Sequence, residues 1–235
     1  MKLYDDYDFE TLTVPAIVIG FPIAIALAIL GFSLSSVLGF SILGVQALAF
    51  MLVPVRALIR SQGKRIESII FEKGLPTSDL LKAEKANKSK IRQERRETVS
   101  RLSGVSLAAY SKAHYDREYE REIIDKAVSL LREKMRGREF NLLRRELKSY
   151  GYWRNMYAIR PVGIASSAIS LLVGLLSVNL LSQSSSELSW VVWTVSTAAL
   201  VLFLFFWIFL VKESSVQSAA NNYSQQFFKS LVLLD

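Results

Sequence analysis

Two long stretches of the chain are almost free of charge, and the positions between them are strongly basic. Residues 11–55 hold no Asp, Glu, Lys or Arg, and residues 161–211 hold one, Glu187. A hydrocarbon core about 30 Å thick takes roughly 20 apolar residues of helix, so each stretch is long enough to cross twice. The first divides most naturally at Ser33, Leu34, Ser35 and Ser36, which predicts spans of about 19 residues near 14–32 and 37–55. Pro15 stands at the start, where a missing N–H costs nothing. Pro22 is expected to kink the first span, and Pro54 lies near the end of the second. In the later stretch Pro161 opens a third span, a polar loop covers 182–189, and a fourth span runs from Trp190 to Lys212. Trp190 and Trp193 mark one interface. Tyr150, Tyr152, Trp153 and Tyr157 gather just before the third span, at the depth amphipathic rings prefer.

The pattern predicts an all-α membrane protein: two transmembrane helical hairpins, four spans, with a helical cytoplasmic insert between them. Five segments follow. They are an acidic N-terminal segment (1–11), a first hairpin (12–55), a basic module (56–160), a second hairpin (161–211) and a C-terminal amphipathic helix (212–235). The hairpin tips carry no Lys or Arg, whereas Arg56, Arg60, Lys64, Arg65, Arg154 and Arg160 flank the spans on the other side. The positive-inside rule then places both termini and the module in the cytoplasm. The acidic start is the opposite of a signal-peptide n-region, so no signal peptide is expected.

Within the module, apolar Leu58, Ile59, Ile66, Ile69 and Ile70 predict a helix that stops at Gly74, Leu75 and Pro76. Thr77 or Ser78 is expected to cap a second helix reaching about Leu102 and carrying Lys82, Lys85, Lys88, Lys90, Arg92, Arg95 and Arg96. A third, over 111–136, keeps Tyr119, Ile123, Ala127, Leu130, Leu131 and Met135 on one face. A short fourth helix carries Arg144, Arg145 and Lys148 and is expected to end at Gly151. The tail is expected to continue as a helix with Val216, Ala220, Tyr223, Phe227, Leu231 and Leu234 on one side, packed against a partner helix or lying at the interface.

Composition narrows the chemistry. The chain has 235 residues, 51% of them hydrophobic, a net charge of +8, no cysteine and one histidine, His114. Residues 56–160 carry 26 of the 29 Lys and Arg. Zinc sites of the His/Cys types and Cys–His nucleophiles are excluded. No phosphate-loop or dinucleotide-binding glycine motif occurs. No ionisable residue lies within a predicted span, which speaks against a proton relay. The expectation is a protein that is not an enzyme and uses no cofactor.

Two polar patterns remain. Gly163, Ser167, Ser170, Gly174 and Ser177 are spaced four and three apart, which places five small residues on one helix face. Such a face either packs tightly against another helix or lines a water-filled pore. Gln46 is the most polar side chain near the centre of a span. The basic residues of the module also have two readings. Juxtamembrane cations commonly lie against anionic lipid. Arg144, Arg145 and Lys148, with Lys82, Lys85, Arg92, Arg95 and Arg96, are instead candidates for a phosphate-bearing ligand, since arginine forks match phosphate oxygens. Duplex DNA is disfavoured, because no groove-reading motif appears. Asp5, Asp6, Asp8 and Glu10 could latch the N-terminal segment onto the basic module, anchored by Tyr4, Tyr7 and Phe9.

Gly74, Leu75, Pro76 and Thr77, together with the run Tyr150, Gly151, Tyr152, Trp153, Arg154 and Asn155, resemble stretches of small bacterial membrane effectors of anti-phage defence, of the Hailong type. The matching stretches cover ten residues. The resemblance implies an oligomeric membrane effector controlled by an oligonucleotide signal from a partner nucleotidyltransferase. The expected function is therefore a ligand-controlled ion channel or membrane-disrupting pore. Its partners would be the lipid bilayer, further copies of itself and a nucleotide or oligonucleotide. The alternative is a membrane-anchored structural or adaptor protein that docks a soluble cytoplasmic partner.

Overall fold

The structure is a computed structural model. It describes residues 6–33, 37–72, 74–82, 89–107, 117–178 and 187–234, with the side chains of 31–53, 117, 138 and 187–189 left aside. Among these residues every regular element is helical and no strand occurs. Helix α1 (Val14–Ser33) is entered through a π-helical turn, Phe9–Thr13. Helix α2 covers Val37–Ile70, α3 Pro76–Asp79, α4 Lys90–Ser103, α5 Arg117–Lys134 and α6 Asn141–Leu176. Helix α7 (Glu187–Phe205) passes into a second π-helical turn, Phe206–Leu210, and α8 covers Glu213–Ser230. Three helical stretches are long and apolar enough to cross a membrane: Asp6–Leu30, Asn141–Leu176 and Trp190–Leu210.

Several expected helix ends lie elsewhere. The first helix does not begin after the acidic segment but already includes Asp6. Helix α2 runs through Pro54 without a break at the end of the expected span. Gly151 and Pro161, read as a stop and a start, both lie inside α6. Proline in a helix interior costs one backbone bond, but neighbouring helices make up the loss when the segment is packed. Gly151 is there for closeness: an added Cβ would stand 2.7 Å from the Tyr7 hydroxyl and 2.9 Å from Thr11 Cγ2. The basic helix expected over 77–102 is divided. Only Pro76–Asp79 and Lys90–Ser103 are helical among the described residues, with Ser89 extended between them. The tail does not simply continue α7, because Val211 turns to extended backbone (φ −84°, ψ 92°). Gly74 is as expected, with φ +97° at the turn after α2, where only glycine is unstrained.

The chain divides into two compact units: Met1–Ile66 with Gly151–Ser215, and Glu67–Tyr150 with Val216–Asp235. In the first, Leu12, Ala16, Ile19, Ile59, Met156, Ile159, Trp207 and Val211 form one buried cluster. Phe21 and Phe203 stack at 6.0 Å where α1 meets α7. The small-residue stripe of α6 lies in this unit and is buried throughout. Gly163 faces the Trp207 indole so closely that an added Cβ would clash with the ring carbons. At Gly174 a Cβ would meet Ile29 at 3.3 Å, Leu200 at 3.6 Å and Thr197 at 3.7 Å. Ser167, Ser170 and Ser177 are at most 3% exposed. Burial by the chain's own α1 and α7 favours the packing reading of the stripe over the pore-wall one. The opposite face of α6 exposes Ile169, Leu172, Leu175 and Leu176.

The second unit is a small helical core. The apolar face of α5 is Ile124, Ala127, Val128 and Leu131, continued by Met135 just beyond its end, with Glu120 buried one turn before Ile124. Tyr119 and Leu130, expected on that face, are exposed. Helix α8 contributes Val216, Ala219, Ala220, Tyr223, Phe227 and Phe228 to the core, so the partner helices of the tail come from its own chain.

Candidate ligand-binding site in the basic unit

The basic candidates of the sequence have separate fates. Arg96 is 8% exposed and points inward: its Nη1 donates to Glu120 Oε1 at 3.0 Å, and the guanidinium also donates to the carbonyls of Leu81 and Leu107. Its donors are therefore engaged within the unit. A guanidinium with carboxylate and carbonyl partners is a structural tie, and a buried charge needs such pairing to be tolerated. Lys82 pairs with Asp79 one turn away, at 3.1 Å. Lys85 lies outside the described residues. Arg92 is half-buried on α4. Arg144 and Lys148 are half-buried and Arg145 is exposed, all near the start of α6.

Arg95, next to Arg96 but about 100° around the helix, faces a concavity. The space is about 500 Å³ and is lined by Leu80, Arg95, Asn221, Ser224, Gln225, Phe228 and Lys229. That size is within the range of ordinary small-ligand sites, roughly 300–1,000 Å³. Five of the lining residues come from α8. Their spacing of three and four residues puts them along one face of that helix. Arg95 lies over the Phe228 ring, 4.8 Å from its centroid, a cation–π contact that holds the guanidinium plane in place. Lys229 is exposed at the rim. Ser224 is 1% exposed, and its Oγ has no hydrogen-bond partner among the described residues. Two cations, two amides and Ser224 line the space, with no carboxylate among the described lining residues. The arrangement suits an anion with several acceptor oxygens.

Deeper on α8, Tyr223 stacks on Tyr150 at 6.5 Å, and the Arg132 guanidinium lies 5.5 Å from its ring. Burial pushes the Tyr223 phenol above its usual range, and Arg132 offsets part of that rise.

The remaining expected site residues lie in the first unit. Asp8 accepts two bonds from Arg60 Nη2, at 3.0 and 3.2 Å. Asp6 and Glu10 are exposed, and Asp5 lies outside the described residues. Gln46 is on α2, but its side chain, like those of its neighbours, is outside the description, and His114 is outside it altogether. Arg160, grouped with the lipid-facing cations, caps instead: its Nε and Nη2 donate to the carbonyls of Trp207 and Ile208 at 3.1 and 3.0 Å. These are last-turn carbonyls, where a cation also complements the helix dipole. Asn155 was not singled out as a site residue. It is 1% exposed and donates its Nδ2 to the Thr11 carbonyl at 2.7 Å. Among the described residues no group of three or more His, Asp or Glu is placed to hold a metal ion.

No family model, curated protein or solved structure matches the chain.

Proposed function

We propose that the chain is the subunit of an oligomeric, ligand-controlled membrane effector, an ion channel or membrane-disrupting pore. In this reading four spans cross a bacterial inner membrane and both termini are cytoplasmic. The basic unit senses a nucleotide or oligonucleotide, and the setting is anti-phage defence. The observation that carries the reading is the concavity at Arg95 and Lys229, with the buried Ser224 hydroxyl unsatisfied at its wall. Phosphate oxygens supply the charge that the cations attract and acceptors for the amides that line the space. Arg144, Arg145 and Lys148 are a second, more exposed contact region for a ligand longer than one nucleotide.

The outward apolar face of α6, with Ile169, Leu172, Leu175 and Leu176 exposed, supports contact with lipid or with further copies. A single chain with four spans has too few helices to enclose a wide pore, so conduction requires a symmetric ring. The adaptor reading draws on Ile69, Ile91, Tyr119 and Leu142, large apolar side chains exposed on the basic unit.

Purified full-length protein returned to liposomes, with ion flux followed as short oligonucleotides are added, tests the proposal. Flux that changes with ligand in the wild type but not in Arg95→Glu/Lys229→Glu supports it. Calorimetric affinity should fall steeply with salt, as counterions are released from phosphates. A monomer in detergent that conducts nothing under any condition favours the adaptor.

A further inference from the structure

A second concavity, in the first unit, has different chemistry. Its volume is about 480 Å³ and its lining is Leu12, Arg56, Ala57, Arg60, Ser61 and Lys64. Arg56, Arg60 and Lys64 follow one another at intervals of four on α2, so they stack along one face of the helix. Arg60 already holds Asp8. Arg56 and Lys64 have no carboxylate partner among the described residues. Beside these cations the wall is apolar. Leu12 belongs to the buried cluster with Ala16, Ile19 and Ile59. The cleft also stands where the charge-free run of residues 11–55 gives way to the first arginine.

A ligand for this cleft needs a negative group among the cations and an apolar part beside Leu12 and Ala57. Inorganic phosphate supplies only the first. A zwitterionic lipid supplies the second but carries no net charge. We propose that the cleft is a specific site for the headgroup of an anionic phospholipid, its phosphate held between Arg56 and Lys64 and its glycerol and upper acyl segments against Leu12. Asp8 occupies the middle cation and is the group such a headgroup would compete with. This inference requires the chain to lie in a membrane but not that it conduct, so it stands or falls separately from the effector reading.

The test uses the full-length protein in nanodiscs of phosphatidylcholine with and without phosphatidylglycerol, with retained lipid counted by native mass spectrometry. The wild type is expected to retain phosphatidylglycerol over phosphatidylcholine. The preference should fall about thirtyfold in Arg56→Gln/Lys64→Gln, because each juxtamembrane cation contributes about fivefold. Arg56→Lys/Lys64→Arg should keep it. Equal retention of the two lipids, or a preference that survives the neutral double variant, overturns the proposal. Displacement of the retained lipid by added inorganic phosphate also overturns it, in favour of a free-phosphate site. Should the neutral variant fail to insert, a second readout remains. The chain has no cysteine, so Ser61→Cys offers a single thiol at the exposed edge of the cleft. Maleimide labelling is expected to slow when phosphatidylglycerol is present, and unchanged labelling counts against the site.

Discussion

The Arg96 guanidinium and the Glu120 carboxylate meet at 3.0 Å inside the basic unit, with only 10% and 4% of their side chains exposed. The pair ties α4 to α5. Two backbone carbonyls, of Leu81 and Leu107, take further guanidinium N–H groups, so the arginine also pins the segments on either side of α4. Removing one partner from such a pair leaves a buried charge unpaired, which typically costs about 3–5 kcal/mol. Glu120→Ala is therefore expected to lower the thermal midpoint of the full chain strongly. Arg92→Ala on the same helix should change stability by no more than about 0.5 kcal/mol. Equal midpoints for the two variants would remove the tie from the account.

The small residues of α6 are expected to differ in tolerance along the stripe. Gly163→Ala drives a methyl into the Trp207 ring and should cost roughly 1–3 kcal/mol, as overpacking does. At Gly174 the nearest atoms are side-chain ends at 3.3 Å and beyond. Gly174→Ala should therefore be nearly neutral, whereas Gly174→Leu should disrupt assembly. Fluorescence-detected size exclusion of the three variants gives the ranking. A Gly163→Ala protein as well behaved as wild type would show that Trp207 moves aside freely.

Two of the contacts that hold the N-terminal segment are of unequal worth. The Asp8–Arg60 pair is half open to solvent on the arginine side, and such pairs contribute about 0–1 kcal/mol. Tyr7, by contrast, rests against buried Gly151. If the segment restrains an active state, Asp8→Ala should alter basal ion flux by less than about tenfold, the equivalent of 1.4 kcal/mol. Deletion of residues 2–9 removes both contacts and should produce constitutive activity and toxicity in cells. A deletion variant that inserts normally and behaves as wild type, with and without ligand, would reduce the segment to a structural extension of α1.

Tyr223 makes the basic unit sensitive to alkali. Its phenol is held above the ordinary value of 10.0 by burial, the larger effect, against the lowering influence of Arg132. A raised folded value means the unfolded chain ionises first. The stabilisation is therefore complete below about pH 10 and is lost as pH climbs through the folded value. Denaturation profiles of wild type and Tyr223→Phe should separate in that window and run parallel below it. Parallel profiles throughout would show that the phenol ionises as it does in the unfolded chain.

Much of the local architecture is readable from the residues alone. Charge-free runs of membrane length overlap the three helices long and apolar enough to cross a membrane, and the glycine turn at Gly74 follows from the residues around it. Helix ends were less legible at Gly151 and Pro161. Glycine and proline stop a helix only when nothing holds it together across them. Here Gly151 is enclosed by Tyr7 and Thr11, and the surrounding packing keeps the backbone helical. The candidate ligand site was half legible. Arg95 was named for its residue type, but the α8 residues that complete the cavity are Asn, Ser, Gln and Lys positions three and four apart beside an apolar stripe. That pattern reads equally well as an ordinary solvated edge.

What the sequence determined by itself is the material of each segment: which stretches exclude charge, which are basic, and which catalytic chemistries have no residues to perform them. These follow from composition and short-range periodicity, which need no knowledge of the neighbours. Only the tertiary structure decided direction. Arg95 and Arg96 are adjacent cations on one helix, yet one opens onto a cavity and the other is buried, because Glu120 on α5 supplies the charge that Arg96 needs. Likewise Gly163 packs against Trp207 because α6 and the turn Phe206–Leu210 lie close enough there for a bare backbone to meet an indole. A pairing between residues distant in the chain is set by how the helices pack, and no local pattern encodes which of several equivalent side chains will be the one turned inward.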